Sequence, residues 1–234
     1  MLDDVRCFDD ESGVLDLGGT RTTDSDIAPL IAAPHMHKLS LRMTDVTDDG
    51  LDTVADLYRL TYLDLSQNEQ ITDRGIEKLH PLRNLTTLLI DSTSVTDESM
   101  AVLESFPRLT RLELDFTRVG TGGLRHIGAL TELRQLSLFG TPVSDRSVAD
   151  LWQLRQLAEL DLGDTSLTDK AIEVLSTMTS LRELGLFDTR ITDDGLIRLA
   201  NNKCLRILEV DKSNVTEIGR SEFRKLLPSC TLQS

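Results

Sequence analysis

The histidines are the residues best suited to metal or acid–base chemistry, but their spacing supports neither. His35 and His37 stand two residues apart, whereas His80 and His126 lie far from them and from each other in the chain. A zinc site needs three or four ligands around one ion, which two neighbouring histidines do not supply. We therefore expect no metal site and no catalytic residue.

A glycine-rich stretch, Gly120, Gly122 and Gly123, has the composition of a phosphate-binding loop. Such a loop needs a following lysine and a serine or threonine, whereas residues 124–126 are Leu-Arg-His. We interpret the stretch as a degenerate turn and expect no nucleotide or other cofactor.

Three cysteines, Cys7, Cys204 and Cys230, are too few and too scattered for a disulfide framework or a zinc site. The chain contains repeated units of about 24 residues, and Cys204 and Cys230 come near the ends of two adjacent units. Their thiols are therefore expected to approach each other. Packing of two free thiols is favoured over a regulatory disulfide, and the sequence leaves open whether they pair.

The charge balance is strongly acidic, with 39 Asp and Glu against 25 Lys and Arg and a net charge of −14. Phosphate binding needs clustered cations, so nucleic acid and anionic membranes are disfavoured as partners. No apolar run approaches the roughly 20 residues that span a bilayer, and the first residues are polar and acidic, unlike a signal peptide. We expect a cytoplasmic protein, with a secreted effector as the open alternative.

The chain repeats one unit nine times, and such periodicity is typical of a solenoid. A leucine begins an L-x-L triplet in every unit, at a step of 24 residues throughout except for one step of 25. These leucines are Leu15, Leu39, Leu63, Leu88, Leu112, Leu136, Leu160, Leu184 and Leu208. Thr-Asp or Ser-Asp pairs follow in most units, at Thr47-Asp48, Thr72-Asp73, Thr96-Asp97, Ser144-Asp145, Thr168-Asp169 and Thr192-Asp193.

This pattern resembles the leucine-rich repeat, in a sub-type that reads L-x-L-x-x-T-x-[VI]-T-D-x-G-L. Residues 160–169 and 184–196 show it well, and the resemblance extends over residues 14–230. It looks closer to bacterial leucine-rich-repeat proteins than to the repeats associated with F-box proteins. F-box-associated repeats are related, but their units are typically longer and carry a regular cysteine that is absent here. The resemblance implies a right-handed horseshoe that binds other proteins.

Each unit must therefore form one short strand and one short helix. L-x-L alternation buries one side of a strand, and the Thr-Asp pairs supply N-cap oxygens for a helix with one apolar side. We predict an α/β solenoid with a parallel sheet on the concave face and short helices on the convex face. Residues 1–13 are predicted to form an N-terminal cap, residues 14–205 eight repeats, and residues 206–234 a ninth, capping repeat.

Polar residues recur at two fixed positions of the repeat, and the predicted fold gives both of them a structural role. The threonine five residues after each anchor leucine is expected to bond backbone groups of the neighbouring repeat. The aspartates of the Thr-Asp pairs could be taken for a calcium ladder, but one carboxylate per repeat does not provide six to eight converging oxygens. Helix capping explains them, and the fifth repeat is expected to lack its cap.

The concave face is predicted to consist of the residues at −1, +1, +3 and +4 from each anchor leucine, and it is acidic from end to end. Four basic residues fall on it: Lys38, Arg42, Arg111 and Lys212. The acids are three times as many: Asp16, Asp64, Asp91, Glu113, Asp115, Glu159, Asp161, Asp164, Glu183, Asp188, Glu209 and Asp211.

Three phenylalanines, Phe116, Phe139 and Phe187, also fall on this face, together with Tyr62. Exposed aromatic residues ringed by polar ones are typical of interfaces. The alternative is that each ring folds over the strand edge to cover the threonine column. The interface interpretation is favoured for Phe139 and Phe187, and both interpretations stay open for Phe116.

The sequence therefore predicts a non-catalytic interaction scaffold that is monomeric by itself and binds a basic or mixed protein partner. One alternative is an adaptor subunit of a ubiquitin-ligase-like or effector assembly. Another is an enzyme or nucleotide-binding protein with a site at one end of the horseshoe. The predicted partner-binding residues are Tyr62, Arg111, Glu113, Asp115, Phe116, Phe139, Glu159, Asp161, Asp164, Glu183, Phe187 and Asp188.

Overall fold

A single parallel sheet runs the length of the structure, a computed structural model that describes residues 13–233. Each strand pairs with its neighbours in chain order, and successive anchor leucines lie directly beside one another, as Leu15 beside Leu39. The strands are β1 (Val14–Asp16), β2 (Lys38–Ser40), β3 (Tyr62–Asp64), β4 (Thr87–Leu89), β5 (Arg111–Glu113), β6 (Gln135–Ser137), β7 (Glu159–Asp161), β8 (Glu183–Gly185), β9 (Ile207–Glu209) and β10 (Thr231–Gln233). The predicted α/β solenoid is confirmed.

Short helices cover the other side of the sheet, and several of them continue into, or consist of, 3-10 helix. The α-helices are α1 (Asp24–Ile27), α2 (Leu51–Ala55), α3 (Asp73–Lys78), α4 (Thr121–Ile127), α5 (Asp145–Val148), α6 (Asp169–Leu175), α7 (Asp193–Leu199) and α8 (Glu217–Leu226). The 3-10 helices are Ala28–Ala32, Asp97–Ser105 and Ala149–Gln153. One continuous core of buried leucine, isoleucine and valine side chains lies between helices and sheet.

The structure has one strand more than the nine predicted. Strand β10 pairs with β9 and places Leu232 beside Leu208. Leu232 follows Leu208 by the same step of 24 residues, so its spacing carried the signal. The signal was missed because Ser234 stands where the second leucine of the L-x-L triplet would be.

Two side chains, one of α8 and one of the residue after it, close the C-terminal end of the core. Phe223 and Leu227 are buried, whereas Leu226 between them is 43% exposed. Sheet and core continue without interruption through residues 205 and 206, so a separate capping unit over 206–234 stays a prediction. The predicted N-terminal cap falls on residues 1–13, of which residues 1–12 lie outside the described part of the chain.

The threonine column bonds within its own repeat rather than across to the next one. Thr117 Oγ1 donates to the carbonyl oxygen of Leu114 at 2.6 Å, and Thr141 and Thr189 make the same contact three residues back. Asn68 does cross, because its longer amide donates both to Leu41 O at 2.8 Å and to Leu65 O at 2.7 Å.

The aspartates of the Thr-Asp pairs also act differently from the prediction, because each one binds the following repeat. Asp48 accepts the backbone N–H of Thr72 at 2.8 Å on Oδ1 and its hydroxyl at 2.6 Å on Oδ2. Asp169 holds Thr192 in the same way, at 2.9 and 2.6 Å. We call this contact the aspartate staple, because it ties the start of each helix to the repeat before it. Burying otherwise unpaired N–H groups at helix starts requires such a partner.

The glycine of T-D-x-G-L has a packing explanation in the aspartate staple. A β-carbon built on Gly195 would lie 2.1 Å from Asp169 Oδ1, and one on Gly75 would lie 2.3 Å from Asp48 Oδ1. The carboxylate therefore occupies the space that a side chain would fill.

The staple is interrupted once, between the fifth and sixth repeats. Helix α4 is not left uncapped as predicted, because Asp97 accepts the N–H groups of Gly120 and Gly122 at 2.6 and 2.9 Å. The missing carboxylate is the one that α4 itself would offer to the sixth repeat. Thr121 stands at that position, and its hydroxyl lies 3.2 Å from the hydroxyl of Ser144.

We expect Thr121→Asp to restore the staple and stabilise the fold. The fourth repeat provides the template, because Asp73 accepts Thr96 Oγ1 at 2.7 Å and Ser99 Oγ at 2.6 Å, and the sixth repeat places Ser144 and Ser147 at equivalent positions. A hydrogen bond to a charged group contributes about 1.5–3 kcal/mol, less at an exposed site. Urea unfolding at pH 7 should give a free energy higher by about 1 kcal/mol. Thr131→Asp, an equal charge change at an exposed site, is the control, and an equal effect of both would contradict the staple.

Acid should weaken the staple, and Asp73→Asn should remove part of that sensitivity. Burial raises the pKa of Asp73, but the hydrogen bonds from Ser99 and Thr96 outweigh it, so the pKa lies below its ordinary value. A lowered pKa in the folded state stabilises the protein above the unfolded pKa of about 3.9, and this contribution disappears as pH falls further. Asp73→Asn should therefore lower the unfolding free energy at pH 7, and the variant should lose less unfolding free energy than the wild type between pH 5 and pH 3. An equally steep decrease in both proteins over this pH range would refute this account.

Candidate functional site

The concave surface has two parts, which the strands and the turns after them define. The strand face consists of the first and third residues of each strand, whose side chains point away from the buried middle leucine. The rim consists of the second and third residues after each strand. Its second member always has a positive φ: Gly19, Met43, Gln67, Ser92, Phe116, Gly140, Asp164, Asp188 and Lys212.

The left-handed conformation of the rim follows from the sheet ladder. The backbone N–H of Phe116 donates to Phe139 O at 2.8 Å, and that of Asp164 to Phe187 O at 2.7 Å, so the ladder continues past the end of each strand. The sequence did not predict this conformation, because glycine, asparagine and aspartate are its usual signals, and Met43, Gln67 and Phe116 are none of these.

An aromatic cluster lies on the rim and consists of Phe116, Phe139 and Phe187. The rings of Phe116 and Phe139 have centroids 5.3 Å apart and meet edge to face, and Phe139 and Phe187 lie 6.1 Å apart. The cluster extends from the fifth to the eighth repeat, and Gly140 and Gly163 leave room for the rings of Phe116 and Phe139. Phe116 is 58% exposed, whereas Phe139 and Phe187 are partly covered. The most exposed ring is therefore the one that the sequence left undecided.

The strand face carries two glutamates side by side on β7 and β8. Glu159 lies directly beside Glu183 in the register of the sheet, and adjacent strands are about 4.8 Å apart, a separation at which like charges repel. Gln135 Nε2 donates to Glu159 Oε2 at 2.6 Å but brings no charge. These two residues line a depression of about 220 Å³ with Arg111, Glu113 and Asp161.

The negative charge is concentrated in the second half of the concave surface rather than spread from end to end. In the first four repeats the concave surface carries three carboxylates, of Asp16, Asp64 and Asp91, and two cations, Lys38 and Arg42. In the fifth to ninth repeats it carries two cations, Arg111 and Lys212, and nine carboxylates: Glu113, Asp115, Glu159, Asp161, Asp164, Glu183, Asp188, Glu209 and Asp211. Within residues 13–233, only Glu113 and Asp211 of these nine have an ion pair, with Arg111 and Arg220.

Not every carboxylate on this surface is free to bind a partner. Asp16 Oδ1 accepts the N–H of Gly18 at 2.9 Å, and Asp64 Oδ1 that of Ser66 at 3.0 Å, so both close turns of their own repeat. Asp64 is also buried. Tyr62 lies beside them in a second depression of about 420 Å³ near the N-terminal end, apart from Glu159 and Glu183.

Asp115 and Asp161 are the carboxylates whose charge is least well solvated. Burial raises the pKa of Asp161, and the hydrogen bond from the Gly163 N–H at 2.9 Å offsets this only in part. Burial likewise raises the pKa of Asp115, which accepts the N–H of Phe139 at 2.8 Å and the hydroxyl of Ser137. Keeping both charged at neutral pH costs folding free energy.

Other chemistry has little support in the described residues. The structure brings together no group of three or more His, Cys, Asp or Glu side chains that could hold a metal ion within residues 13–233. Cys204 and Cys230 are both free thiols, and burial raises the pKa of Cys230 to about 11. Among the described helices none has the length and apolarity that crossing a membrane would require.

Comparisons with known proteins agree with this architecture. The family described as Leucine Rich repeat matches residues 32–55, 60–79 and 177–200. No curated protein matches the chain. The repeats and the fold make this chain a leucine-rich-repeat protein.

Solved structures of other proteins share the fold. A leucine-rich-repeat protein of Leptospira interrogans superposes with a TM-score of 0.68 at 18% identity, over 94% of this chain and 60% of that one. A structure described as a TDR receptor gives 0.62 at 18% identity, over 94% and 42%. Internalin C2 of Listeria monocytogenes gives 0.62 at 25% identity, over 88% and 80%. The chain thus spans less than two thirds of the first two.

Asp161→Asn should stabilise the fold at neutral pH, because the amide oxygen can still accept the Gly163 N–H while the buried charge is removed. A carboxyl whose folded pKa is raised loses stability as pH climbs from about 3.9 through that pKa. The gain should therefore be on the order of 1 kcal/mol at pH 7, or about 2–4 °C in melting temperature. No gain is expected at pH 3, where the aspartate is already protonated.

Thermal unfolding at both pH values measures this effect, with Glu173→Gln on the exposed convex side as the control. A melting temperature at pH 7 that does not rise would show that the Asp161 charge is adequately solvated.

Proposed function

We propose that this chain is a non-catalytic protein-interaction module that binds a basic or mixed partner through the second half of its concave surface. The observation that carries the proposal is the pair Glu159 and Glu183, which lie side by side and form no ion pair within the described residues. Like charges directly opposite each other destabilise a sheet. A surface that keeps them is explained by a partner that supplies the opposite charge.

The buried acids support the same direction. Asp115 and Asp161 have raised pKa values because of burial, so their charges also weaken the fold. Functional sites commonly retain groups that cost stability. Together with Glu159 and Glu183, they concentrate negative potential on β5 to β8, where it would attract and orient a cationic segment.

The size of the surface is sufficient for a stable interface. Ten strands about 4.8 Å apart give a sheet roughly 45 Å long, and a standard interface needs about 800 Å² per partner. Leucine-rich-repeat folds generally serve as interaction scaffolds, and one structural neighbour is described as a receptor. The bacterial sub-type, the cytoplasmic location and the monomeric state remain part of this proposal.

Removing the charges of Glu159 and Glu183 should abolish binding of the partner. Glu159→Gln with Glu183→Gln keeps the shape and hydrogen-bonding capacity of both side chains but removes two charges. Immobilised wild-type protein and this double variant are used to capture proteins from an extract, and the captured proteins are quantified by mass spectrometry. We expect the amount of each protein captured by the wild type to be at least tenfold lower on the variant. The captured proteins should elute from the wild type at 0.5 M salt, because salt shortens the distance over which charges interact to a few ångströms.

The matched control is Glu77→Gln with Glu173→Gln, two exposed acids of the helical side, which removes the same charge elsewhere. Retention should be unchanged on this control. Equal capture by the wild type and the Glu159/Glu183 variant would rule out the acidic concave surface as the binding site.

A further inference from the structure

Phe116 stands at a position that is unfavourable for it in two ways. Its backbone φ is 56°, in the left-handed region, which is unfavourable for a bulky side chain. Its side chain is also 58% exposed. The conformation recurs at this rim position in every repeat and continues the sheet ladder, so what the fold leaves unexplained is a large and exposed aromatic side chain there. The ring is better explained by what it can contact outside the chain.

The ring of Phe116 covers the next rim position, Gly140. A β-carbon built on Gly140 would lie 2.7 Å from the Phe116 ring and 3.6 Å from Asp164 Oδ2. The absence of a side chain at Gly140 therefore brings the ring and the carboxylate of Asp164 close to each other on the rim. Asp164 is exposed and has no ion pair within the described residues.

The ring is held in place from behind by the aromatic cluster. Phe139 meets Phe116 edge to face at 5.3 Å, which leaves the outer side of Phe116 open to solvent. At the other end of the cluster, Lys212 Nζ lies 4.8 Å from the centroid of Phe187. The cluster thus already accepts one cation from this chain at its Phe187 end. Among residues 13–233 no cation lies over Phe116.

We propose that Phe116 and Asp164 form a slot for an arginine side chain of the protein partner. The inference rests on the proposed function and specifies which partner group the rim recognises. A guanidinium is planar, stacks on an aromatic ring and can donate two parallel hydrogen bonds to one carboxylate. An ammonium is a compact and strongly hydrated point charge that gains less from the ring. The surrounding acids, Asp188 and Asp115 among them, provide complementary charge.

Three synthetic decapeptides test the slot directly. Each alternates lysine and glycine, and the central cationic position carries arginine, lysine or the uncharged isostere citrulline. Titration calorimetry at low salt should show the arginine peptide binding about three to ten times more tightly than the lysine peptide, which corresponds to about 0.7–1.4 kcal/mol. The citrulline peptide should bind most weakly.

Substitutions in the slot test which residues produce the preference for the arginine peptide over the lysine peptide. Phe116→Leu and Asp164→Asn should each reduce the arginine-to-lysine ratio to about one, and the double variant should reduce it no further, because both groups contact the same guanidinium. Phe116→Tyr keeps the ring and should keep the preference. Tyr58→Leu removes an exposed aromatic side chain elsewhere and should change nothing. Melting temperatures of all variants check that each one is folded.

The outcomes separate this inference from the proposed function. Equal affinity of the wild type for the arginine and lysine peptides, no binding of either, or a preference that survives in Phe116→Leu would overturn the arginine slot. Glu159→Gln with Glu183→Gln should weaken both peptides alike and leave their ratio unchanged. If this double variant binds the peptides as tightly as the wild type does, the result would instead count against the proposed function, whether or not arginine is preferred.

Discussion

Every repeat of this protein depends on its neighbours for its hydrogen bonds, because a three-residue strand and a short helix cannot pair all of their own backbone N–H and C=O groups. The strand N–H groups donate to the preceding or following repeat along the whole sheet. The aspartate staple does the same for the starts of the helices, as Asp48 does for Thr72. An element this short is unstable alone, so stability is carried between repeats rather than within them. The motif T-D-x-G-L describes that contact: an aspartate that reaches forward and a glycine that makes room for the aspartate before it.

The same repetition determines what the concave surface can be. A fixed register places each residue beside the equivalent one of the next repeat, so two glutamates in consecutive repeats lie side by side. Departures from a uniform column are therefore informative. The glycines on the rim and on β8 are such departures, because they leave space into which Phe116, Phe139 and Asp161 extend. The surface acquires its specific shape from these gaps as much as from its charges.

Several groups on this surface weaken the fold that supports them. Asp115 and Asp161 are charged although burial opposes it, Glu159 and Glu183 repel each other, and Phe116 holds an unfavourable backbone conformation. All of them lie between β5 and β8 or on the adjoining rim. The interruption of the staple at Thr121 falls at the border between the fifth and sixth repeats, the border that the contact of Phe116 with Phe139 also crosses. The groups that we propose to bind a partner and those that weaken the fold thus lie within the same few repeats.

The sequence by itself determined the number of residues per repeat, the parallel register and the inward direction of every anchor leucine, because a core column must recur whenever the chain returns to the same place. It also determined which residues share the concave surface, including Glu159, Glu183 and the three phenylalanines. Only the tertiary structure decided where the hydrogen bonds of Asp48 and Thr117 go, which acids are tied into turns, and that Phe116 rather than Phe139 is exposed. Those outcomes depend on distances of a few ångströms between repeats and on the left-handed turn after each strand, and neither is encoded in the identity of any single residue.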